Sequence, residues 1–534
     1  MADDVLIVGA GVAGAMLAWR LAEAGLKVTV LEAGPRVKRE DALERFRGAV
    51  AKTPDSPYES TAYAPRPVVG DLNSYYVQSG PDKFASTYER CVGGTTWHWL
   101  GTSIRLLPSD MRMKTRYGIG LDWPVTFDEL EPWYEKAEAQ LGVAGDFKDH
   151  FAPRDSDFPL PPIKPSYLDQ KMSAALAPLG IKVYPTPQAR NSVQFQDRPA
   201  CCGSANCIPI CPIGAKYDAS VHVAMAEKAG ARLIENAVAC FVEVDAAGQV
   251  TGIRYKRPDG SEERATARIY ALAAHAIETP KLLLMSRTEQ LPAGVANRSD
   301  QVGRNLMDHP TQLSWALCGE PIYPLRSPLT TSGIPMHRDG PFRKTQGAFR
   351  VEIGNDGWTW PVGAPSALVP GFLARGVRGP ALIDALRDKV ARQFRLASLV
   401  EQLPSPDNRV VPAFDKPDAI GIPRPQINYQ VDEYTLAGLK TARAFHEKVF
   451  KAMKSTEIAH EDTYQGAGHI MGTHRMGTDP RTSVVDSHGR AHDHPNLYLL
   501  GSGVFPTVGT GNPTLTLAAL ALRTAEEVLK QARG

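Results

Sequence analysis

Val5-Leu6-Ile7-Val8-Gly9-Ala10-Gly11-Val12-Ala13-Gly14 is the stretch whose reading decides the fold. Four aliphatic residues in succession suit a strand buried on both faces. Glycines 9, 11 and 14 come next in the G-x-G-x-x-G spacing, and Met16, Leu17 and Leu21 continue at helical periodicity to a stop near Gly25. A second apolar run, 28–31, ends at Glu32. The pattern predicts a strand–turn–helix–strand unit that binds a dinucleotide. Gly9 serves the tight turn, Gly11 the close approach of backbone to pyrophosphate, and Gly14 the packing of helix on strand. The helix N-terminus offers unpaired N–H groups to the phosphates, and Glu32 is spaced to accept a hydrogen bond from a ribose hydroxyl. An acidic residue there suits FAD or NAD and repels the extra phosphate of NADP.

The rest of the composition narrows the class. A chain of 534 residues suggests two or three domains or one large discontinuous one. Sixty Lys and Arg stand against 58 Asp and Glu, a net charge of +2, so the field and the basic runs of a nucleic-acid binder are missing. With 43% hydrophobic and 22% charged residues the chain has the balance of a folded globular protein. No apolar stretch reaches the ~20 residues of a membrane span; the longest, 515–522, stops at Arg523. Met1-Ala2-Asp3-Asp4 lacks the basic start of a secretory signal, so the chain is expected to carry no export address of its own.

Further blocks succeed one another along the chain. Val92-Gly93-Gly94-Thr95-Thr96-Trp97-His98-Trp99 is a second glycine turn with two hydroxyls and an aromatic patch. An apolar strand at 271–274 leads to a helix expected from Glu278 to Met285, with Pro280 in its first turn. Then come the compact loop 302–310, His469-Ile470-Met471-Gly472-Thr473-His474, the strand and turn at 496–503, and Gly511-Asn512-Pro513-Thr514 before a C-terminal helix.

Taken together these blocks resemble the glucose–methanol–choline (GMC) family of flavin-dependent oxidoreductases, from Val5 to about Leu529 and thinly through the middle. The resemblance implies an α/β architecture in which a discontinuous Rossmann-like FAD-binding domain (1–45, 86–106, 213–312 and 466–534) carries a smaller sheet-plus-helix substrate domain (46–85, 107–212 and 313–465). The stretch 402–410 is similar to a turn and strand of the latter. Cofactor contacts are implied for Gly9, Gly11, Gly14, Glu32, Gly93, Gly94, Thr95, Thr96, Trp97, His98, Val238, Gly501, Ser502, Asn512, Pro513 and Thr514. His275-Ala276 stands where relatives often carry Asn-Gly, and no role is carried onto His275.

Oxidising an alcohol on flavin requires a proton acceptor beside the hydroxyl, a task that suits histidine. The family pattern assigns His469 as general base and Asn512 as orienter of the substrate hydroxyl and of His469; a capping Asn beside a packed core His is the structural alternative. His474 is read as supporting. His98 occupies the place where some members link a histidine covalently to the flavin, and a non-covalent contact with the ring is the other reading.

Four of the seven cysteines fall within 201–211. Thiolates select zinc or iron–sulfur clusters. Adjacent Cys201 and Cys202 diverge and can hardly both serve a tetrahedral site. One of that pair with Cys207 and Cys211 suits a [3Fe-4S] cluster, and Cys207-x3-Cys211-Pro212 resembles the end of the bacterial ferredoxin run; zinc is the alternative. A cluster passes electrons singly, which argues for a dehydrogenase rather than an oxidase. Within the family this block is similar to the catalytic subunits of bacterial FAD-dependent glucose, fructose, sorbitol and gluconate dehydrogenases. That likeness implies a sugar or polyol substrate, with an aldose such as glucose favoured. It also implies a small chaperone-like subunit carrying the export signal, a multihaem cytochrome c subunit, and a periplasmic enzyme held at the membrane by its partners. The competing functions are an oxygen-reducing sugar oxidase with structural cysteines, a flavin and iron–sulfur module without chemistry of its own, and an NAD-dependent dehydrogenase, which the later blocks disfavour.

Overall fold

Asp3–Val8 is the central strand of a parallel sheet ordered Leu497–Leu499, Ala267–Leu272, Asp3–Val8, Val28–Leu31, Arg232–Ile234. The computed structural model describes residues 3–50, 52–324, 326–356 and 365–534; Met1 and Ala2 of the N-terminal stretch lie outside them. Val5, Leu6 and Ile7 are wholly buried, as a strand covered on both faces demands. The helix Val12–Glu23 packs against Ser220–Lys228 and Pro513–Arg533. Two glycines make the strand–helix junction possible. Gly9 has φ +101°, and a Cβ there would lie 2.5 Å from the Ala273 carbonyl oxygen; a Cβ on Gly14 would lie 2.0 Å from the Gly9 oxygen. An antiparallel meander, Val238–Val244, Val250–Lys256 and Glu262–Ala265, connects the edge strand Arg232–Ile234 back to Ala267–Leu272.

The second layer is a six-stranded antiparallel sheet ordered Thr456–His460, Thr311–Leu317, Gln393–Val400, Phe349–Gly354, Ser332–Ile334, Tyr184–Pro185. One face alternates Phe349, Val351, Ile353, Phe394 and Leu396 onto Leu439, Ala442, Phe445 and Val449 of the helix Glu433–Ala452, forming a separate core. The other face carries Glu352, Arg395, Thr311 and Leu313 toward a large cavity.

Two elements differ from the sequence reading. The helix expected from Glu278 begins at His275 and runs to Met285, which puts Pro280 inside it. A proline there cannot donate to the Ala276 carbonyl one turn back; the Thr473 hydroxyl donates to that oxygen instead, at 2.6 Å. The freed acceptor is thus satisfied from a distant loop, which sequence periodicity does not reveal. Second, Phe127–Leu141, which the expected boundaries assign to the substrate domain, packs on the C-terminal helix and buries Leu130, Tyr134, Ala137 and Leu141 in the core of the parallel sheet.

Thr473 is fully buried, so Thr473→Val should leave the Ala276 oxygen without a partner. A loss of about 1–3 kcal/mol in denaturant unfolding is expected; an unchanged midpoint would show that the carbonyl is satisfied another way.

Candidate active site

A single carboxylate assembles the catalytic end. Asp308 Oδ1 accepts the backbone N–H of His309 (2.7 Å) and of His469 (2.9 Å), which come from two loops. Asp308 Oδ2 accepts the Ser86 hydroxyl, whose oxygen in turn accepts the Gly468 N–H at 2.9 Å. The loops also exchange backbone hydrogen bonds between Met307 and Met471. Asp308 is buried, and burial raises its pKa.

The two imidazoles that result stand at 88° with centroids 5.1 Å apart. His309 Nε2 lies 3.0 Å from the Gly509 carbonyl oxygen, and its Nδ1 lies 3.0 Å from His469 Nδ1. A carbonyl only accepts, so His309 carries its proton on Nε2. Burial pushes its pKa down to about 4, so its Nδ1 is a bare acceptor and His469 must donate Nδ1–H to it. That leaves His469 Nε2 unprotonated, with its lone pair as an acceptor. Asn512 Nδ2 lies 3.3 Å from this atom. Asn512 precedes the helix Pro513–Arg533 but makes no side-chain cap, so the capping alternative does not hold. Burial first, and His309 second, hold the pKa of His469 well below its ordinary value. The geometry therefore yields a neutral imidazole of defined tautomer whose basic nitrogen faces an amide. The sequence motifs do not single out His309; the Asp-His pair inside the 302–310 loop is the only signal it leaves there.

His469 and Asn512 line a cavity of about 1300 Å³, larger than the ~300–1,000 Å³ of an ordinary small-molecule pocket. Its walls bring together Gly9, Gly11, Glu32, Gly93, Gly94, Thr95, Thr96, His98, Val238, Gly501, Ser502, Pro513 and Thr514. Nothing lies within 4 Å of a Cβ built on Gly11, the open approach a pyrophosphate requires. Glu32 stands at the wall with its oxygens already accepting Ala10 N–H (2.8 Å) and Gly34 N–H (3.1 Å), and burial raises its pKa. Gly14 and Trp97 are not in the wall. Gly14 lies beneath the loop; Trp97 is buried, donates its indole N–H to Val92 O at 2.9 Å and is covered by the Arg39 guanidinium at 4.7 Å. Thr96 spends its hydroxyl proton within its own turn, on Gly93 O (2.5 Å), and accepts from Ala219 N (2.9 Å). His98 Nδ1 is 3.3 Å from buried Glu89 Oε1. His474 lies fully buried under Gly503, away from the cavity.

The cysteines lie in a loop beside the second glycine turn. Cys207 and Cys211 are buried, Cys201 half-buried and Cys202 exposed. The Gly203 and Lys216 N–H groups point at Cys201 Sγ (3.4 Å) and Cys211 Sγ (3.5 Å). This donor chemistry fits a thiolate-held centre. Among the described residues, however, no three His, Cys, Asp or Glu side chains converge closely enough to hold a metal ion. The loop is fastened to the turn: buried Lys216 donates to the carbonyls of Trp97 (2.8 Å), Trp99 (2.5 Å) and Thr96 (3.4 Å), Arg39 to Cys211 O (2.7 Å), and Ile210 packs with Tyr58 and Trp97. Asn206, Ile208 and Pro209 of the same loop form part of the cavity wall.

Comparison with known proteins places this site in a family. A profile described as "GMC oxidoreductase" matches residues 404–521, and one described as "FAD dependent oxidoreductase" matches 4–42. The chain is 39% identical to the fructose dehydrogenase large subunit of Gluconobacter japonicus, over 99% of this chain and 98% of that one. It is 30% identical to a 6'''-hydroxyparomomycin C oxidase of Streptomyces lividus, over 98% and 91%. The crystal structure of pyridoxine 4-oxidase from Mesorbium loti superposes with a TM-score of 0.64 at 18% identity, covering 98% and 99% of the two chains, which shows the common fold. The parallel dinucleotide sheet, the antiparallel sheet above it and this degree of relatedness agree: the chain belongs to the GMC oxidoreductases and is an FAD-dependent enzyme acting on CH–OH groups.

Proposed function

We propose that the chain is the catalytic subunit of a sugar or polyol dehydrogenase. The observation that carries this reading is the His309–His469–Asn512 arrangement beside a cavity whose wall also includes Asn206, Ile208 and Pro209 of the cysteine loop. FAD, when bound, supplies a two-electron acceptor for the carbinol hydride. His469 Nε2 takes the hydroxyl proton, and Asn512 holds the hydroxyl and the imidazole in register. His309 fixes the tautomer and takes up part of the positive charge through the Nδ1 hydrogen bond. Gly9, Gly11 and the N-terminus of the first helix hold the pyrophosphate, and Glu32 the ribose. The turn 93–98 passes along the ring, with His98 in contact with it. The relation to a fructose dehydrogenase makes a ketose as strong a candidate as the aldose expected from sequence.

An iron–sulfur centre at Cys201, Cys207 and Cys211 belongs to the same proposal, with Cys202, the exposed member of the pair, left out. Such a centre, when bound, offers a one-electron exit toward a cytochrome c subunit. The named relative is itself a large subunit, which supports a complex with partner subunits; these would be a small subunit carrying the export signal to the periplasm and a cytochrome c. Among the described residues no helix is long and apolar enough to cross a membrane. The relation to a 6'''-hydroxyparomomycin C oxidase favours a second reading, in which oxygen is the acceptor and the cysteines are structural.

The readings part on simple measurements. Anaerobic fructose, glucose, sorbitol or gluconate should bleach the flavin. Cys207→Ser should keep that bleaching while losing iron and cytochrome reduction; peroxide formation in air by an iron-free protein would replace the dehydrogenase with the oxidase. His309→Phe should retain FAD and lower kcat on the order of tenfold or more, part of the ~10²–10⁴ that general-base catalysis supplies; unaltered kcat would show that His309 does not set the tautomer. Because burial depresses His469, it is unprotonated above its lowered pKa, and kcat/KM should stay flat through 6.5 and fall only at more acid pH; an acid limb centred at or above 6.5 would contradict the burial.

A further inference from the structure

His275 is in a backbone conformation that its side chain disfavours. Its φ is +78°, the left-handed region that glycine occupies without strain, and it is the first residue of the helix His275–Met285. It directly follows Ala273 and Ala274, whose backbone abuts Gly9 of the dinucleotide loop. The imidazole lines the cavity. One face stacks on Tyr88 at 4.2 Å and 24°, and Tyr88 is itself anchored by its hydroxyl on Glu278 at 2.5 Å. Lys281 (2.8 Å) and the Tyr75 hydroxyl (2.6 Å) hold that same carboxylate. The ring therefore has one orientation.

Its two nitrogens are used unequally. Nδ1 accepts the Ile277 N–H at 3.4 Å, and Nε2 has no partner among the described residues. Burial lowers the pKa to about 4, so the ring is neutral, and with Nδ1 accepting, the proton sits on Nε2. The result is one neutral N–H donor, rigidly held and open to the cavity beside the glycine loop. Backbone strain retained at such a spot calls for something in return.

We propose that His275 is a cofactor-positioning residue whose Nε2–H donates to an acceptor oxygen of FAD near the glycine loop. This rests on reading the cavity as the FAD site. It assigns a contact that a glycine or asparagine–glycine pair in this position does not make with an imidazole.

The test is FAD titration of the full-length apoprotein, followed by flavin fluorescence, with the unaltered chain as the parent. His275→Phe keeps the ring, the stack and the strain but removes the donor; His275→Gly removes all of them. Both should weaken FAD roughly tenfold relative to the parent, while only His275→Gly should raise the thermal midpoint of the FAD-free protein. Affinities within twofold of a parent that binds FAD would overturn the proposal alone. A parent that takes up no FAD would sink the reading of the cavity and the proposal with it.

Discussion

The site is organised by one buried anion. Asp308 draws two backbone N–H groups onto a single oxygen and a serine hydroxyl onto the other. A carboxylate out of water must find such donors, because leaving it unpaired costs several kcal/mol. Here those donors belong to the two histidines of the proposed proton path. Neither loop has regular secondary structure at this point, so the carboxylate does the work that a strand or helix does elsewhere in setting their separation.

That anchoring sets up a one-way chain of hydrogen bonds. It starts at a backbone carbonyl, which admits one tautomer of His309, and ends at the unprotonated Nε2 of His469, which accepts from the Asn512 amide. Burial keeps both rings neutral, so polarity is imposed by geometry and not by charge. Asn512 contributes by giving up the role its position suggests. Its side chain makes no cap, and Pro513 at the first helical position reduces the number of N–H groups that a cap would have to satisfy.

Much of this architecture is legible in the residues themselves. The 5–14 stretch predicts the central strand, its helix and the approach to a pyrophosphate because each glycine there answers a steric demand, and the Cβ positions at Gly9 and Gly14 display those demands. His469 and Asn512 meet as their motif implies. Other features depend on partners distant in sequence. The role of His309 requires the Gly509 carbonyl, and the early start of the His275–Met285 helix requires the Thr473 hydroxyl. The hydroxyl of Thr96, for which a cofactor contact is implied, donates within its own turn. Trp97 lies under Arg39 rather than in the cavity wall. The apolar stripe of Phe127–Leu141 says that the helix is buried but not in which core. Pattern specifies burial; it does not name the neighbour.

The sequence distances within the site bear on its biosynthesis. His309 lies 160 residues ahead of the imidazole it orients, and that imidazole lies 43 ahead of its amide partner. The edge strand Leu497–Leu499 and the helix Pro513–Arg533, which complete the parallel layer, are made after the other four strands of that sheet. A chain made only as far as His469 therefore lacks one strand of the parallel sheet and the amide that faces that imidazole.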